Sequence, residues 1–108
     1  MSIRLYMLQR LSAMILAPLV IGHVITMIVA VQGGLSAAEI LGRTQGSVWW
    51  ALFYGLFVLA VAVHAAIGLR TVAAEWLRLR GVGLTLFAWA VFAGLLALGV
   101  RAVVAVVV

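Results

Sequence analysis

Long apolar segments alternate with short polar connections along the whole chain. Three apolar runs cover about 11–31, 48–69 and 82–100. Each is close to the roughly 20 residues that an α-helix needs to cross the hydrocarbon core of a bilayer. The pattern therefore predicts an all-α integral membrane protein with three transmembrane helices, and a single transmembrane domain over residues 1–108.

Two local features refine this picture. Pro18 lies inside the first run and removes a backbone donor there, so we expect a bend near Leu16. Between the first two runs, Ser36 and Glu39 have the spacing of a capping box. This spacing predicts a short interfacial helix over about 36–41.

Composition excludes several kinds of chemistry within this chain. The sequence is 69% apolar, has seven basic and two acidic side chains, and contains no cysteine. Without cysteine it has no disulfide, thiolate metal site, iron–sulfur cluster or attachment site for c-type haem. The net charge of +5 comes from arginines at the ends of the apolar runs. That placement is typical of membrane helix flanks, so we expect membrane lipid, and no nucleic acid, as a partner.

The arginines and tryptophans predict an orientation. Five arginines fall on one side of the bilayer and two on the other, which places the N-terminus on the cytoplasmic side of a bacterial inner membrane. The five are Arg4, Arg10, Arg70, Arg78 and Arg80, and the two are Arg43 and Arg101. Trp49 and Trp50 mark one boundary and Trp76 the other. Arg101 either ends the third helix or snorkels from within a longer, tilted one.

Two histidines, His23 and His64, are the titratable side chains that lie well inside the predicted spans. Such residues are functional candidates, because an imidazole can ligate haem iron, and the alternative is a hydrogen bond that only holds helices together. Ala60 and Gly68 lie one helical turn on either side of His64 and leave its stripe nearly bare. This stripe can admit a large planar group or simply a neighbouring helix.

The depths of the two histidines differ. His64 lies roughly 9 Å from Arg70 along its helix, and His23 roughly 20 Å from Arg10 along the first helix. The difference of about 10 Å prevents the two side chains of one chain from ligating the same iron. A second chain would have to complete each site, giving one or two haems per pair of chains.

Residues near the predicted cytoplasmic boundary are candidates for further contacts. Arg70 can neutralise a haem propionate or act only as a positive flank of its helix. Arg10 and Ser12 can hydrogen-bond a quinone carbonyl, and Tyr6 and Trp76 can line the same pocket. We therefore take these four residues as the candidate quinone pocket.

Two segments resemble a known family. The sequence HAAIGLR at 64–70, followed by Glu75, resembles the H-x-x-x-G-[IL]-R-x4-[DE] segment of the cytochrome b anchor subunits of succinate dehydrogenase and fumarate reductase. The sequence QRLS at 9–12 is similar to the H-R-x-[ST] segment that opens the first helix of those anchors. The resemblance covers roughly 4–80.

The resemblance implies roles for individual residues. It makes His64 an axial ligand of haem b, places Arg10 at the quinone site and places Arg70 near the haem propionates. His23 is similar to the first-helix ligand of members that hold two haems. The chain departs from the family at three positions: Gln9 replaces a histidine, Tyr6 a serine, and Trp76 a tyrosine that the companion anchor contributes.

The resemblance also implies a function. The chain would form a helical bundle with a second anchor chain, identical or homologous, and bind haem b. It would dock a flavoprotein subunit and an iron–sulfur subunit and pass electrons to or from membrane quinone, without reacting with the dicarboxylate itself. Two other hypotheses are a haem-free structural anchor and a small dimeric proton-coupled transporter that uses a histidine as proton relay.

Overall fold

The computed structural model describes residues 2–108, which form four α-helices. These are α1 (Ile3–Gly33), α2 (Ala37–Thr44), α3 (Val48–Trp76) and α4 (Gly81–Val107). α1, α3 and α4 are each long and apolar enough to cross a membrane. Residues 2–108 contain no strand. The predicted all-α membrane protein with three spans is thus confirmed.

All three long helices continue beyond the apolar runs of the sequence. α1 begins at Ile3 and not near residue 11, because Ser2 caps it by accepting a hydrogen bond from the amide of Leu5 at 3.3 Å. It then runs without interruption through Pro18 to Gly33. Apolar composition reports where lipid surrounds a helix, whereas backbone hydrogen bonding continues into the polar boundary.

The short helix α2 forms between the first two spans. The Ser36 hydroxyl accepts a hydrogen bond from the amide of Glu39 at 3.1 Å, which is the capping contact expected from their spacing. Before it, Gly34 has a φ of +122°, and a β-carbon there would overlap the Glu39 carboxylate. The Arg43 guanidinium donates to the Gly34 carbonyl at 3.0 Å. The connection from α1 is therefore fixed by a glycine turn and a charged hydrogen bond.

α3 is the central helix, because both α1 and α4 pack against it. Its buried residues are mostly small, and they are Ala60, Ala62, Ala66, Ile67 and Ala73. Small side chains allow helix backbones to approach closely, which is the main source of packing energy between helices in lipid. α4 approaches α3 closely at Gly99, where a β-carbon would overlap the side chain of Val58.

The segment after α2 binds the C-terminal end of α4. The Thr44 hydroxyl donates to the carbonyl of Val106 at 2.6 Å, and the amide of Gly46 donates to the carbonyl of Val107 at 2.7 Å. The last carbonyls of a helix have no partner within the helix, so these bonds stabilise its end. Arg101 lies within α4, exposed and roughly 8 Å before this end. The longer-helix alternative is therefore the one that the structure has.

Helices α1 and α3 are antiparallel, as are α3 and α4. We call the end that holds the start of α1 and the α3–α4 connection the N-terminal end, and the opposite end the α2 end. The arginines divide between them as the sequence predicts, with Arg4, Arg10, Arg70, Arg78 and Arg80 towards the N-terminal end. Most side chains of α1 and α4 are exposed, so they meet lipid or another chain.

The close approach at Gly99 predicts a difference between two glycines of α4. Gly99→Leu should destabilise the protein by about 1–3 kcal/mol, because its side chain must displace Val58 and part the two helices. Gly94→Leu is the matched control, since a β-carbon there meets nothing within 4 Å. Unfolding of the detergent-solubilised protein, followed by circular dichroism, measures the effect. Equal losses at both positions would contradict the packing described.

Candidate functional site

His64 lies halfway along α3 and faces α1. Its ring nitrogen Nδ1 is 3.3 Å from the hydroxyl oxygen of Ser12. Ser12 is buried, with 5% of its surface exposed, whereas His64 is half-buried. The Ser12 hydroxyl also donates to the carbonyl of Gln9, one turn earlier in α1, at 2.9 Å. A chain of two hydrogen bonds therefore joins the α1 backbone to the imidazole of α3.

These two hydrogen bonds favour one tautomer of His64. A serine hydroxyl has one hydrogen, and here it is donated to the Gln9 carbonyl. The contact with His64 then requires Nδ1 to donate and the Ser12 oxygen to accept. In the neutral imidazole the lone pair is left on Nε2. The arrangement thus presents Nε2 as the nitrogen that can ligate a metal.

The small residues beside His64 accommodate α1. A β-carbon on Gly68 would lie 3.4 Å from the side-chain nitrogen of Gln9. Ala60 is buried and lines, with Ser12, a narrow cavity of about 130 Å³. The sequence allows either a planar group or a neighbouring helix to lie on the small residues beside His64. On the side that faces α1, the neighbouring helix occupies this position. A planar group can approach His64 only at the part of the ring that α1 leaves open.

Gln9 has an unsatisfied polar atom near this site. Its side-chain oxygen is buried and has no hydrogen-bond partner within the described chain. Leaving a buried acceptor unpaired costs about 1–3 kcal/mol. A donor from a ligand, a water molecule or another chain would remove that cost, so the unpaired oxygen indicates a place where a polar group is accommodated.

His23 lies in a separate, aromatic environment. Its ring meets the rings of Tyr54 and Phe57 edge-on, with centroid distances of 5.9 and 5.3 Å. Its Nδ1 is buried and has no hydrogen-bond partner among residues 2–108. A cavity of about 340 Å³ adjoins the ring, and Thr44 and Val106 line it towards the α2 end. The sequence analysis missed this aromatic cluster, although the spacing of residues 50, 53, 54 and 57 places them on one side of α3.

The packing places the two histidines at different depths. Ser12 is level with His64, and His23 lies eleven residues further along α1, a rise of roughly 16 Å. The contact of His23 with Phe57, seven residues before His64, gives roughly 10 Å along α3. Both figures exceed what two ligands of one iron allow. Each histidine therefore belongs to its own site.

The four residues of the candidate quinone pocket lie in different places. Tyr6 and Arg10 are exposed and in contact, with the Arg10 guanidinium donating to the Tyr6 hydroxyl at 3.4 Å. Ser12 is buried against α3, roughly 160° around α1 from Arg10. Trp76 is 80% exposed at the end of α3, roughly 18 Å beyond His64. Within this chain, only Tyr6 and Arg10 are brought together.

Arg70 is half-buried one and a half turns beyond His64 and lines two cavities. The first, of about 420 Å³, is apolar and lies between α1, α3 and α4, with Trp89 and Phe92 in its wall. The second opens at the N-terminal end beside Arg78 and Arg80. The sequence analysis did not single out Trp89, which lies within the third span and therefore carries no boundary signal.

Residues 2–108 contain no cluster of side chains that could by itself hold a metal ion. No group of three or more histidine, cysteine, aspartate or glutamate side chains is close enough to hold a metal ion in the part of the chain that the structure describes. A metal centre here would thus depend on single imidazoles and on ligands from elsewhere. Haem suits this condition, because the macrocycle supplies four nitrogens and the protein supplies only axial ligands.

The fold and the site define a class of protein: a small multi-pass membrane protein with a histidine fixed between two helices. The model of the succinate dehydrogenase/fumarate reductase transmembrane subunit family matches residues 2–103, and the chain belongs to that family. It is thus a membrane anchor subunit, as the resemblance of 64–70 and 9–12 indicates. No curated protein and no solved structure matches the chain.

The hydrogen bonds of Ser12 predict the tautomer of His64. In protein labelled with ¹⁵N-histidine, solid-state NMR should show a proton on Nδ1 of His64 and none on Nε2, whether or not Nε2 ligates a metal. Ser12→Ala removes the acceptor and should shift the Nδ1 resonance, while the His23 signals stay in place. A proton on Nε2 in the unaltered protein would contradict the assignment.

Proposed function

We propose that this chain is a haem-b-binding anchor subunit of a succinate dehydrogenase or fumarate reductase complex. Family membership supports the anchor role, and flavoprotein and iron–sulfur subunits are the partners that this role implies. These partners dock at the N-terminal end, which faces the cytoplasmic side of a bacterial inner membrane because five arginines lie there. The chain then exchanges electrons between the iron–sulfur subunit and membrane quinone.

The contact between Ser12 and His64 is the observation that supports haem binding most directly. It holds the imidazole in one orientation and leaves Nε2 free to ligate iron. When bound, haem b supplies a site that takes up and releases one electron at a time. His64 holds the iron, Ser12 orients the ring, and Arg70, roughly 9 Å away along α3, neutralises a propionate.

A second anchor chain completes the site. One chain offers one histidine at each depth, so the other axial ligand of a haem at His64 comes from a histidine of a neighbouring chain. The exposed apolar side chains of α1 provide surface for that neighbour. The unpaired Nδ1 of His23 and the cavity beside it support a second haem towards the α2 end.

The quinone site is proposed around Arg10 and Tyr6. Their side chains are in contact on the exposed side of α1, where a neighbouring chain can close the pocket. The Arg10 guanidinium donates to a quinone carbonyl, and the Tyr6 hydroxyl supplies a proton donor beside it. Ser12 takes no part in this pocket, since its hydroxyl is committed to Gln9 and His64.

A haem-free structural anchor is the second candidate function. One observation favours it: the hydrogen bond from His64 to Ser12 is in itself a satisfied contact between two membrane helices. The two functions differ in what they require of Nε2. Haem ligation needs its lone pair, whereas a structural role leaves it unused.

Haem binding by His64 predicts the loss of a cytochrome signal. The purified complex should show a b-type reduced-minus-oxidised absorbance spectrum, and His64→Ala should abolish the signal of the haem at that depth. His23→Ala is the matched histidine variant. If His23 also ligates haem, the pyridine haemochrome assay should give two haems in the unaltered complex and one in His23→Ala.

The variant His64→Ala also separates haem binding from the structural role. Size-exclusion chromatography of His64→Ala should show that the subunits still assemble, because the Ser12 contact contributes only about 1 kcal/mol. A complex without any b-type absorbance in unaltered form would overturn the haem proposal and leave the haem-free anchor.

The quinone site predicts a split between two activities. Arg10→Gln should raise the KM for quinone about tenfold or more, because a hydrogen bond from a charged donor is lost. Succinate oxidation with a water-soluble dye should be unchanged, since the dye receives electrons before they reach the anchor. Arg4→Gln is the control, as Arg4 is an exposed arginine of the same helix. An unchanged KM in Arg10→Gln would contradict the placement of the quinone.

A further inference from the structure

A cavity at the N-terminal end gathers more positive charge than the proposed haem and quinone sites use. It measures about 740 Å³ and is lined by Arg70, Arg78 and Arg80 together with Glu75. Three guanidinium groups against one carboxylate leave an excess of two positive charges (3 − 1 = 2). We name it the arginine cavity. Its charge is suited to an anion of one or two negative charges.

The backbone between α3 and α4 fixes the positions of these arginines. The amides of Leu77 and Leu79 both donate to the Ala73 carbonyl at 3.1 Å, which closes the end of α3 tightly. Arg78 has a left-handed φ of +56°, so the chain reverses there. Arg78 and Arg80 are thus held at the mouth of the cavity by a defined turn, and not by a flexible connection.

The arginine cavity and an apolar cavity share Arg70 as a lining residue. This side chain also lines the apolar cavity of about 420 Å³, whose wall includes Ala88 and Trp89 of α4. The two cavities also adjoin along α4, where Leu84 lines the arginine cavity and the next residue, Thr85, lines the apolar one. A molecule with an anionic head and an apolar tail fits this pair of cavities.

Exposed apolar side chains flank the turn that carries Arg78 and Arg80. Trp76, Leu77 and Val82 surround the turn and are 80%, 75% and 75% exposed. A tryptophan and aliphatic side chains at this level belong to the interface between headgroups and acyl chains. This surrounding favours a lipid over the water-facing acidic surface of a partner protein.

We propose that the arginine cavity binds one anionic phospholipid, with its phosphate among Arg70, Arg78 and Arg80 and one acyl chain along the apolar cavity. Each arginine near a membrane surface strengthens the attraction to anionic lipid about fivefold. The lipid site does not require the haem ligand, because His64 lines neither cavity and Arg70 alone is shared with the proposed propionate contact. Its failure and the failure of haem binding are therefore distinguishable.

Native mass spectrometry of the detergent-purified complex, titrated with phosphatidylglycerol, tests the proposal. We expect one tightly held lipid, with phosphatidylcholine binding at least tenfold more weakly because it carries no net charge. Arg78→Gln and Arg80→Gln should each weaken phosphatidylglycerol binding about fivefold, and the double variant about 30-fold. Arg4→Gln removes one charge outside the cavity and should change binding less than twofold. Arg80→Lys should restore most of the affinity and shows that charge is what matters.

Two further variants locate the parts of the lipid. Ala88→Phe fills the apolar cavity and should weaken phosphatidylglycerol binding while the arginines stay in place. His64→Ala should retain the lipid even when haem is lost. Inorganic phosphate at millimolar concentration should not displace the lipid, because it gains nothing from the apolar cavity.

Several outcomes would overturn the proposal. Equal affinity in Arg4→Gln and in the double variant would show that the lipid binds elsewhere. Loss of the lipid in His64→Ala would mean that the arginines hold a haem propionate, and displacement by phosphate would reveal a site for free anions. Release of the flavoprotein and iron–sulfur subunits by the double variant, with lipid binding unchanged, would assign the cavity to protein docking.

Discussion

The close packing of α1 and α4 on α3 is the constraint on which the rest of the structure depends. Because lipid tails are as apolar as the side chains, no hydrophobic effect drives helices together in a bilayer. Helices therefore associate where their backbones can approach closely. α3 provides that surface through alanines and through Val58, which meets Gly99 of α4. Because both neighbours use α3, the two outer helices remain largely exposed, and the bundle presents wide surfaces to lipid or to another chain.

The same packing determines what each histidine can do. α1 lies on the small residues beside His64, and this brings the Ser12 hydroxyl to Nδ1 and leaves Nε2 without a contact to Ser12. His23, further along α1, meets aromatic rings and a cavity and gains no hydrogen bond at Nδ1. One helix contact thus produces two different sites, one oriented by a serine and one enclosed by aromatic side chains.

The two ends of the bundle are built on different principles. At the α2 end, Thr44 and Gly46 satisfy the last carbonyls of α4, so polar atoms of the backbone are paired there within the chain. At the N-terminal end, three arginines face one carboxylate around a cavity, so charge remains for molecules outside the chain. The α2 end thus has paired backbone atoms and the N-terminal end has excess charge, and the N-terminal end is the one that our proposal turns towards the partner subunits.

The sequence by itself determined the three spans, the short helix after Ser36, the separation in depth of His23 and His64, and the family. These follow from the length of apolar runs, from spacing along a helix and from the segments at 64–70 and 9–12, all of which are local properties of the chain. Only the tertiary structure decided that Ser12 packs against His64, on the side of α1 opposite Arg10, and that Arg101 lies inside a longer α4. Such facts depend on how helices rotate against one another and on hydrogen bonds between residues far apart in the chain, which periodicity within one helix does not contain.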